Sequence, residues 1–324
     1  MSRSESPPTL VLNHGLTFIE LFMPEGLQRI DSLFLSHLRE RDAKVHDTLL
    51  AWRSGKENLT PLQASELLLA CGPVLDNFIA NLFNIQKVLE ETRQRTLTHD
   101  PVFHFKKFFV QRRARRRLLK KEEFENFAEL DSWLTQSLKQ AGLDAADREL
   151  AIAKYGEQLL KDEKAHADPI EKLTRWCLRA LTVPEGKAAV KGWVSFRLPE
   201  GIDHQKLVPI FPLNDSVGRV AGPPEHLRAR DGFRLTDPRM NAREVQNEIH
   251  YCIYCHDHDG DFCSKGFPEK KGEPDRGLKV NPLGVTLTGC PLDEKISEMH
   301  SLKKSGHTIG ALAMITVDNP MCAA

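Results

Sequence analysis

No run of eighteen or more apolar residues occurs anywhere in this sequence, so it contains no hydrophobic segment able to span a membrane. Met1-Ser2-Arg3-Ser4-Glu5-Ser6-Pro7-Pro8 lacks the apolar core of a signal peptide. Net charge is absent too: 45 basic residues balance 45 acidic ones, so the molecule as a whole offers no electrostatic case for nucleic acid or membrane. No Gly-x-Gly-x-x-Gly fingerprint marks a dinucleotide site. No Ser/His/Asp or Cys/His set stands out, and no catalytic residue is assigned. Cysteine is scarce over most of the chain, where only Cys71 and Cys177 occur before position 250. These features lead to the expectation of a soluble cytoplasmic protein in a reducing compartment.

With 324 residues, 40% of them apolar and 28% charged, the chain can bury a sizeable core and form more than one domain. Its first 183 residues read as a helical domain. Pro24 opens a segment in which Leu27, Ile30, Leu33, Phe34 and Leu38 follow the helical period. Thr60-Pro61-Leu62-Gln63 is a capping-box start. Beyond Gly72-Pro73 a wide apolar face runs through Val74, Leu75, Phe78, Ile79, Leu82, Phe83 and Ile85. Phe124, Phe127, Trp133, Leu134 and Leu138 continue the pattern. So do Leu150, Tyr155, Leu159 and Leu160, and then, after Asp168-Pro169, Ile170, Leu173, Trp176 and Leu181. Cys71 and Cys177 fall inside these patterns and read as core thiols.

From 184 to 238 prolines and glycines become dense, and the stretch reads as a connector with one or two short strands. Trp193 to Leu198 alternates with period two. Leu207-Val208-Pro209-Ile210-Phe211-Pro212 suits an extended edge, because its prolines exclude a central strand. Asp237-Pro238 then starts a helix that runs roughly to Tyr251 and delivers the chain to a cysteine-rich third segment, 239–324.

That segment holds the chemistry-bearing pattern: Cys252-x2-Cys255-x7-Cys263, Cys290-Pro291 and Cys322. Two thiols separated by two residues can face one metal, because a tight turn points both sulfurs the same way. Clustered cysteines in a reducing compartment read as metal or cluster ligands rather than disulfides. Thiolates suit an iron–sulfur cluster. With His256 and His258 close by, they suit tetrahedral zinc equally. The surrounding His256-Asp257-His258-Asp259-Gly260-Asp261 reads as a solvated turn.

The order Cys-x2-Cys, Cys, Cys-Pro, helix pair, Asn319-Pro320-Met321-Cys322 resembles the helical ferredoxin domain of glutamate synthase small subunits and dihydropyrimidine dehydrogenase. More narrowly, it resembles large FAD-dependent pyridine nucleotide-disulfide oxidoreductases in which such a domain precedes the flavin module. The resemblance implies a mostly α chain ending in an incomplete α-helical ferredoxin-like domain. It implies Cys252, Cys255 and Cys263 on one [4Fe-4S] cluster and Cys290 and Cys322 on a second. It also implies electron transfer to a redox partner or a missing flavin domain, with FAD and NAD(P) confined to a full-length relative. Two departures stand against it: the gap before Cys263 is long, and 264–289 is an insertion. Two clusters would need about eight ligands, so the resemblance further implies a chain truncated within the domain.

The remaining conspicuous feature is the basic run Lys106-Lys107, Arg112-Arg113, Arg115-Arg116-Arg117 and Lys120-Lys121, preceded by Phe103, Phe105, Phe108 and Phe109. It allows a phosphate or nucleic-acid patch. Nearby Glu122, Glu123 and Glu125 favour a solvated, internally balanced helix face, so a nucleic-acid partner is not expected.

Overall fold

The computed structural model describes residues 10, 12–117, 125–143, 146–199, 201–214, 217–223, 232, 239–258, 260–270 and 272–322. Within these the chain is mostly helical, as its periodicity predicts. In order, the helices are α1 (Pro24–Arg41), α2 (Ala43–Arg53), α3 (Pro61–Leu82), α4 (Gln86–Leu97), α5 (Asp100–Phe105) and α6 (Arg115–Arg117). They continue with α7 (Phe127–Gln140), α8 (Arg148–Leu160), α9 (Ala167–Thr182), α10 (Pro184–Ala189) and α11 (Ala242–Ile249). The last three are α12 (Phe262–Lys265), α13 (Ile296–Lys304) and α14 (Thr308–Asp318). One small antiparallel sheet pairs β1 (Phe211–Pro212) with β2 (Val220–Ala221), Phe211 opposite Ala221. The Asp237-Pro238 helix start, Lys120-Lys121, Glu122, Glu123, Phe124 and Asp259 lie outside the described residues.

The chain forms two compact units that interleave in sequence, whereas its texture changes near 183 and 238. Unit 1 comprises Met1–Asp100, Gln246–Lys279 and Leu287–Ala324; unit 2 comprises Pro101–Val245 and Val280–Thr286.

Unit 1 is organised around α3. The predicted capping box is present: the Gln63 backbone N–H donates to Thr60 Oγ1 and the Thr60 N–H to Gln63 Oε1. The helix then runs unbroken through Gly72-Pro73. One end packs Leu82 and Ile79 against Leu12, Leu16 and Ile30. Farther along, Leu68 and Leu69 pack against Leu302, Ala311 and Met314 of the α13–α14 pair. Glycine makes that approach possible. A Cβ at Gly310 would lie 2.7 Å from the Gly72 carbonyl oxygen, and one at Gly72 would strike Leu302. Asp76, 2% exposed, caps α14 from the side: it accepts the Gly310 N–H at 2.5 Å and faces His307 Nδ1 at 3.2 Å.

Unit 2 surrounds a fully buried Trp176 on α9. Phe127, Trp193 and Phe196 pack on its ring, and its indole N–H donates to Asp131 at 2.9 Å. Here the period-two reading of 193–198 gives way. Val194–Phe196 is a 3-10 turn, because turning there brings both Trp193 and Phe196 onto Trp176, which an alternating strand would separate. The basic run also takes an unexpected form. Lys106–Ala114 is a π-helix, a rare winding that needs strong tertiary support. Phe105 and Phe109 supply it by stacking at 5.5 Å, with Gly156 leaving room for both rings.

Candidate functional site

The cysteine segment belongs to unit 1 and begins where α11 ends. Tyr254 adopts a left-handed backbone at φ 49, turning its N–H onto Cys252 Sγ at 3.4 Å. A 3-10 turn over Cys255–His258 follows, and the Phe262 N–H donates to Cys255 Sγ at 3.4 Å. Cys263 lies on the short α12. The 264–289 segment, read from sequence as an insertion, is an excursion that comes back on itself. Its Pro268 bridges Leu278, the Phe267 N–H donates to the Leu287 carbonyl at 3.0 Å, and the Cys290 N–H donates to the Cys263 carbonyl at 2.7 Å. The return is tight, because a Cβ on Gly289 would sit 1.9 Å from the Ser264 carbonyl oxygen.

Cys290 then repeats the first turn. The Leu292 N–H donates to Cys290 Sγ at 3.4 Å, and Asp293 takes φ 55. Cys252 and Cys290 thus open two knuckles in which the amide two residues on points at the sulfur, with the left-handed residue second after Cys252 and third after Cys290. The Cys263 thiol is pushed up first by partial burial and next by the Cys255 and Cys252 sulfurs, with Asp261 and Glu298 adding to the effect. Cys322 follows Asn319, whose side-chain amide donates to Glu294 at 2.6 Å. Cys322 itself is exposed beyond α14, and its N–H donates to the Asn319 carbonyl at 3.2 Å.

Asp257 and His258 are exposed, as a solvated turn requires, but His256 is not. His256 is 4% exposed rather than part of a solvated turn. Its Nδ1 lies 2.5 Å from Ser297 Oγ, and that hydroxyl also lies 3.8 Å from Cys252 Sγ. Its Nε2 lies 3.0 Å from the Asp257 carboxylate, outside hydrogen-bond geometry. Burial raises the Tyr254 phenol to about 12, with Cys252 and Asp257 adding to that. Of the two cysteines read as core thiols, Cys177 is fully buried and Cys71 partly so, its thiol raised by burial to about 11.

Among the described residues, no three His, Cys, Asp or Glu side chains stand together in metal-binding geometry. The expected ligand set of Cys252, Cys255, Cys263, Cys290 and Cys322 is therefore not a preformed centre.

Beside the knuckles, within unit 1, lies a cavity of about 630 Å³. Trp52, Pro61 and Leu62 line one side, and Phe262, Pro268 and Leu278 another. Asp261, Lys265, Lys295, Ser65 and Glu298 contribute polar groups. Sequence reading missed Ser65 and Glu298, which lie 233 positions apart and meet only in the fold.

In unit 2 the basic run lines a pocket of about 290 Å³ through Arg112, Arg113, Arg116 and Arg117. Distant acids balance much of it. Arg117 grips Glu171 at 2.7 and 2.9 Å, and Arg113 meets Glu163 at 3.0 Å. Glu125, assigned to this run by sequence proximity, instead pairs with Arg175 at 3.2 Å.

A family model described as the RP005 N-terminal alpha-helical domain matches residues 12–84, the stretch that holds α1, α2 and α3. An uncharacterized protein RP005 of Rickettsia prowazekii (strain Madrid E) is 29% identical over 310 residues, covering 90% of this chain and 98% of that protein. No solved structure matches. These similarities overturn the resemblance to a truncated FAD-dependent pyridine nucleotide-disulfide oxidoreductase with a helical ferredoxin domain. The Cys-Pro and Asn-Pro-x-Cys order that suggested it is short. Among the described residues no helix is long and apolar enough to cross a membrane.

Proposed function

We propose that unit 1 is a zinc-binding cysteine module of a structural or adaptor protein, with Cys252, Cys255, Cys263 and Cys290 as ligands. The supporting observation is the repeated knuckle, in which Tyr254 N–H serves Cys252 and Leu292 N–H serves Cys290. The Cys263–Cys290 backbone bond joins the two halves. Zinc favours four thiolates in a closed tetrahedral set, and such a set contributes directly to folding. Bound zinc would draw the four sulfurs into one tetrahedral set. Cys252, through Ser297 and His256, would tie the metal to the start of α13, an outer-shell role.

The test is metal analysis of the full-length chain together with cobalt substitution. We expect one zinc per chain, and a cobalt form with intense thiolate charge-transfer absorption. Cys290→Ser should lose the metal and melt at lower temperature, while Cys322→Ser should keep both. A metal-free protein that gives no thiolate–cobalt band would overturn the proposal. So would loss of metal in Cys322→Ser.

A further inference from the structure

The basic run of unit 2 is only half answered by the acids around it. Arg112, Arg113, Arg116 and Arg117 converge on one pocket of about 290 Å³. Two of the four are matched, Arg117 by both oxygens of Glu171 and Arg113 by Glu163. Glu171 is shared with Arg175 at 3.0 Å, and it is the only acid in the pocket wall among the described residues. Arg112 and Arg116 are exposed, and among the described residues neither has a carboxylate or hydrogen-bond partner. Like charges four positions apart repel, so the pocket is left with two guanidinium groups and no anion of its own for them. Three features of the fold add to this. The Arg112 guanidinium lies over the Phe108 ring, 5.0 Å from its centroid, which limits its freedom. The π winding closes with the Arg115 N–H on the Val110 carbonyl, and such segments often mark functional sites. Ala167, at the start of α9, lines the pocket, and no side chain caps that helix start, so its partial positive charge adds to that of the arginines.

We propose that this pocket binds a single phosphoryl group, carried by inorganic phosphate or by a small phosphate ester, through the Arg112 and Arg116 guanidinium groups. Charge selects the class first: a phosphoryl dianion answers two unmatched cations, whereas a carboxylate answers one. Geometry selects it next, because the planar fork of arginine meets phosphate oxygens in pairs of parallel hydrogen bonds. Size limits the ligand, since a pocket of this volume lies at the lower end of those that hold organic molecules. A nucleic-acid backbone fits less well. It needs an extended basic track for its many phosphates, but Glu163 and Glu171 interrupt the positive surface here, and the chain as a whole carries no net charge.

The test is calorimetric titration of the full-length chain with orthophosphate, glycerol 3-phosphate and acetate, in phosphate-free buffer at about pH 7.5, where the ester is dianionic. Saturable binding of a phosphate probe is expected, at least about tenfold tighter than acetate. Tighter binding of glycerol 3-phosphate assigns the site to an ester, and equal or tighter binding of orthophosphate assigns it to the free ion. Arg112→Gln and Arg116→Gln should each lower phosphate affinity by about tenfold. Neither should lower the melting temperature, because neither side chain has an ion-pair partner to lose. Lys107→Gln removes an exposed cation of the same run that lies outside the pocket wall, and it should leave the affinity unchanged. Failure of both phosphate probes to saturate the wild-type chain overturns the proposal, as does acetate binding equally well. A loss in Lys107→Gln equal to that in Arg112→Gln overturns it too, by reducing the effect to the general charge of the run. A single-stranded oligonucleotide that binds more tightly than either probe, with steep salt dependence, would replace the small ligand with a polymer.

Discussion

Two buried glutamates, one in each unit, show how the same side chain can serve different ends. Glu149 of unit 2 is 5% exposed and answered on both oxygens. Its Oε1 accepts the Ser195 N–H at 2.8 Å and hydroxyl at 2.7 Å, and its Oε2 accepts Arg243 at 2.9 Å. Glu298 of unit 1 is buried as deeply, yet only one of its oxygens is engaged. A fully satisfied buried acid holds elements together. A half-satisfied one contributes little to that, because its second oxygen is desolvated without a return. The difference lies in the partners the fold supplies, not in the residue.

The sharpest way to break this comparison is to neutralise each acid in turn and measure unfolding in urea. Glu149→Gln takes from the Arg243 guanidinium one of two carboxylates, the other being Asp147, and should cost about 2 kcal/mol through the lost charge-assisted bonds. Glu298→Gln removes a burial penalty while preserving shape, and its stability should stay within about 1 kcal/mol of the parent. Equal losses in the two variants would make Glu298 a structural group after all.

Asp76 sharpens the contrast, because it lies in the same unit as Glu298 but is occupied on both oxygens. Asp76→Ala would leave the first turn of α14 uncapped beside the close Gly72–Gly310 crossing. A cost of about 1–2 kcal/mol is expected, with amide exchange of α14 accelerated more than that of α1. A silent Asp76→Ala variant would show that position within unit 1, rather than satisfaction, sets the behaviour of its acids.

Local features of this fold were legible in the sequence where the signal and its cause lie close together. The Thr60 capping box, the helical periods of α1 and α9 and the Cys252-x2-Cys255 turn each involve residues a few positions apart. What escaped depends on distance. Glu298 meets Ser65, and Glu149 meets Ser195 and Arg243, across separations of 233, 46 and 94 positions. No periodicity marks such acids as buried. The return of Cys290 to Cys263 was hidden by the glycine-rich segment between them, whose backbone bridges close the loop. Trp193 to Leu198 misled for a related reason: an alternating pattern fits a strand, but the demand of Trp176 for ring contacts on one side bent it into a turn. The oxidoreductase reading failed because cysteine and proline spacing carries little information without the flanking domain that would give it meaning.

The smallest expected effect concerns the ion pairs on unit 2. The Glu171 carboxyl is held below its ordinary range, first by its hydrogen bond with Arg117 and then, against some opposing burial, by Arg175. Because the folded value is depressed, the stabilisation is complete above the ordinary glutamate range and fades as pH falls through the folded value. Both partners of the pair are about one-third exposed, so solvent screening limits the contribution to about 0.5–1 kcal/mol. Urea midpoints measured between about pH 6 and pH 3 should fall slightly more steeply for the parent than for Glu171→Gln, and added salt should narrow the gap. Parallel pH profiles would mean that Arg117 and Arg175 find equivalent partners once Glu171 is gone.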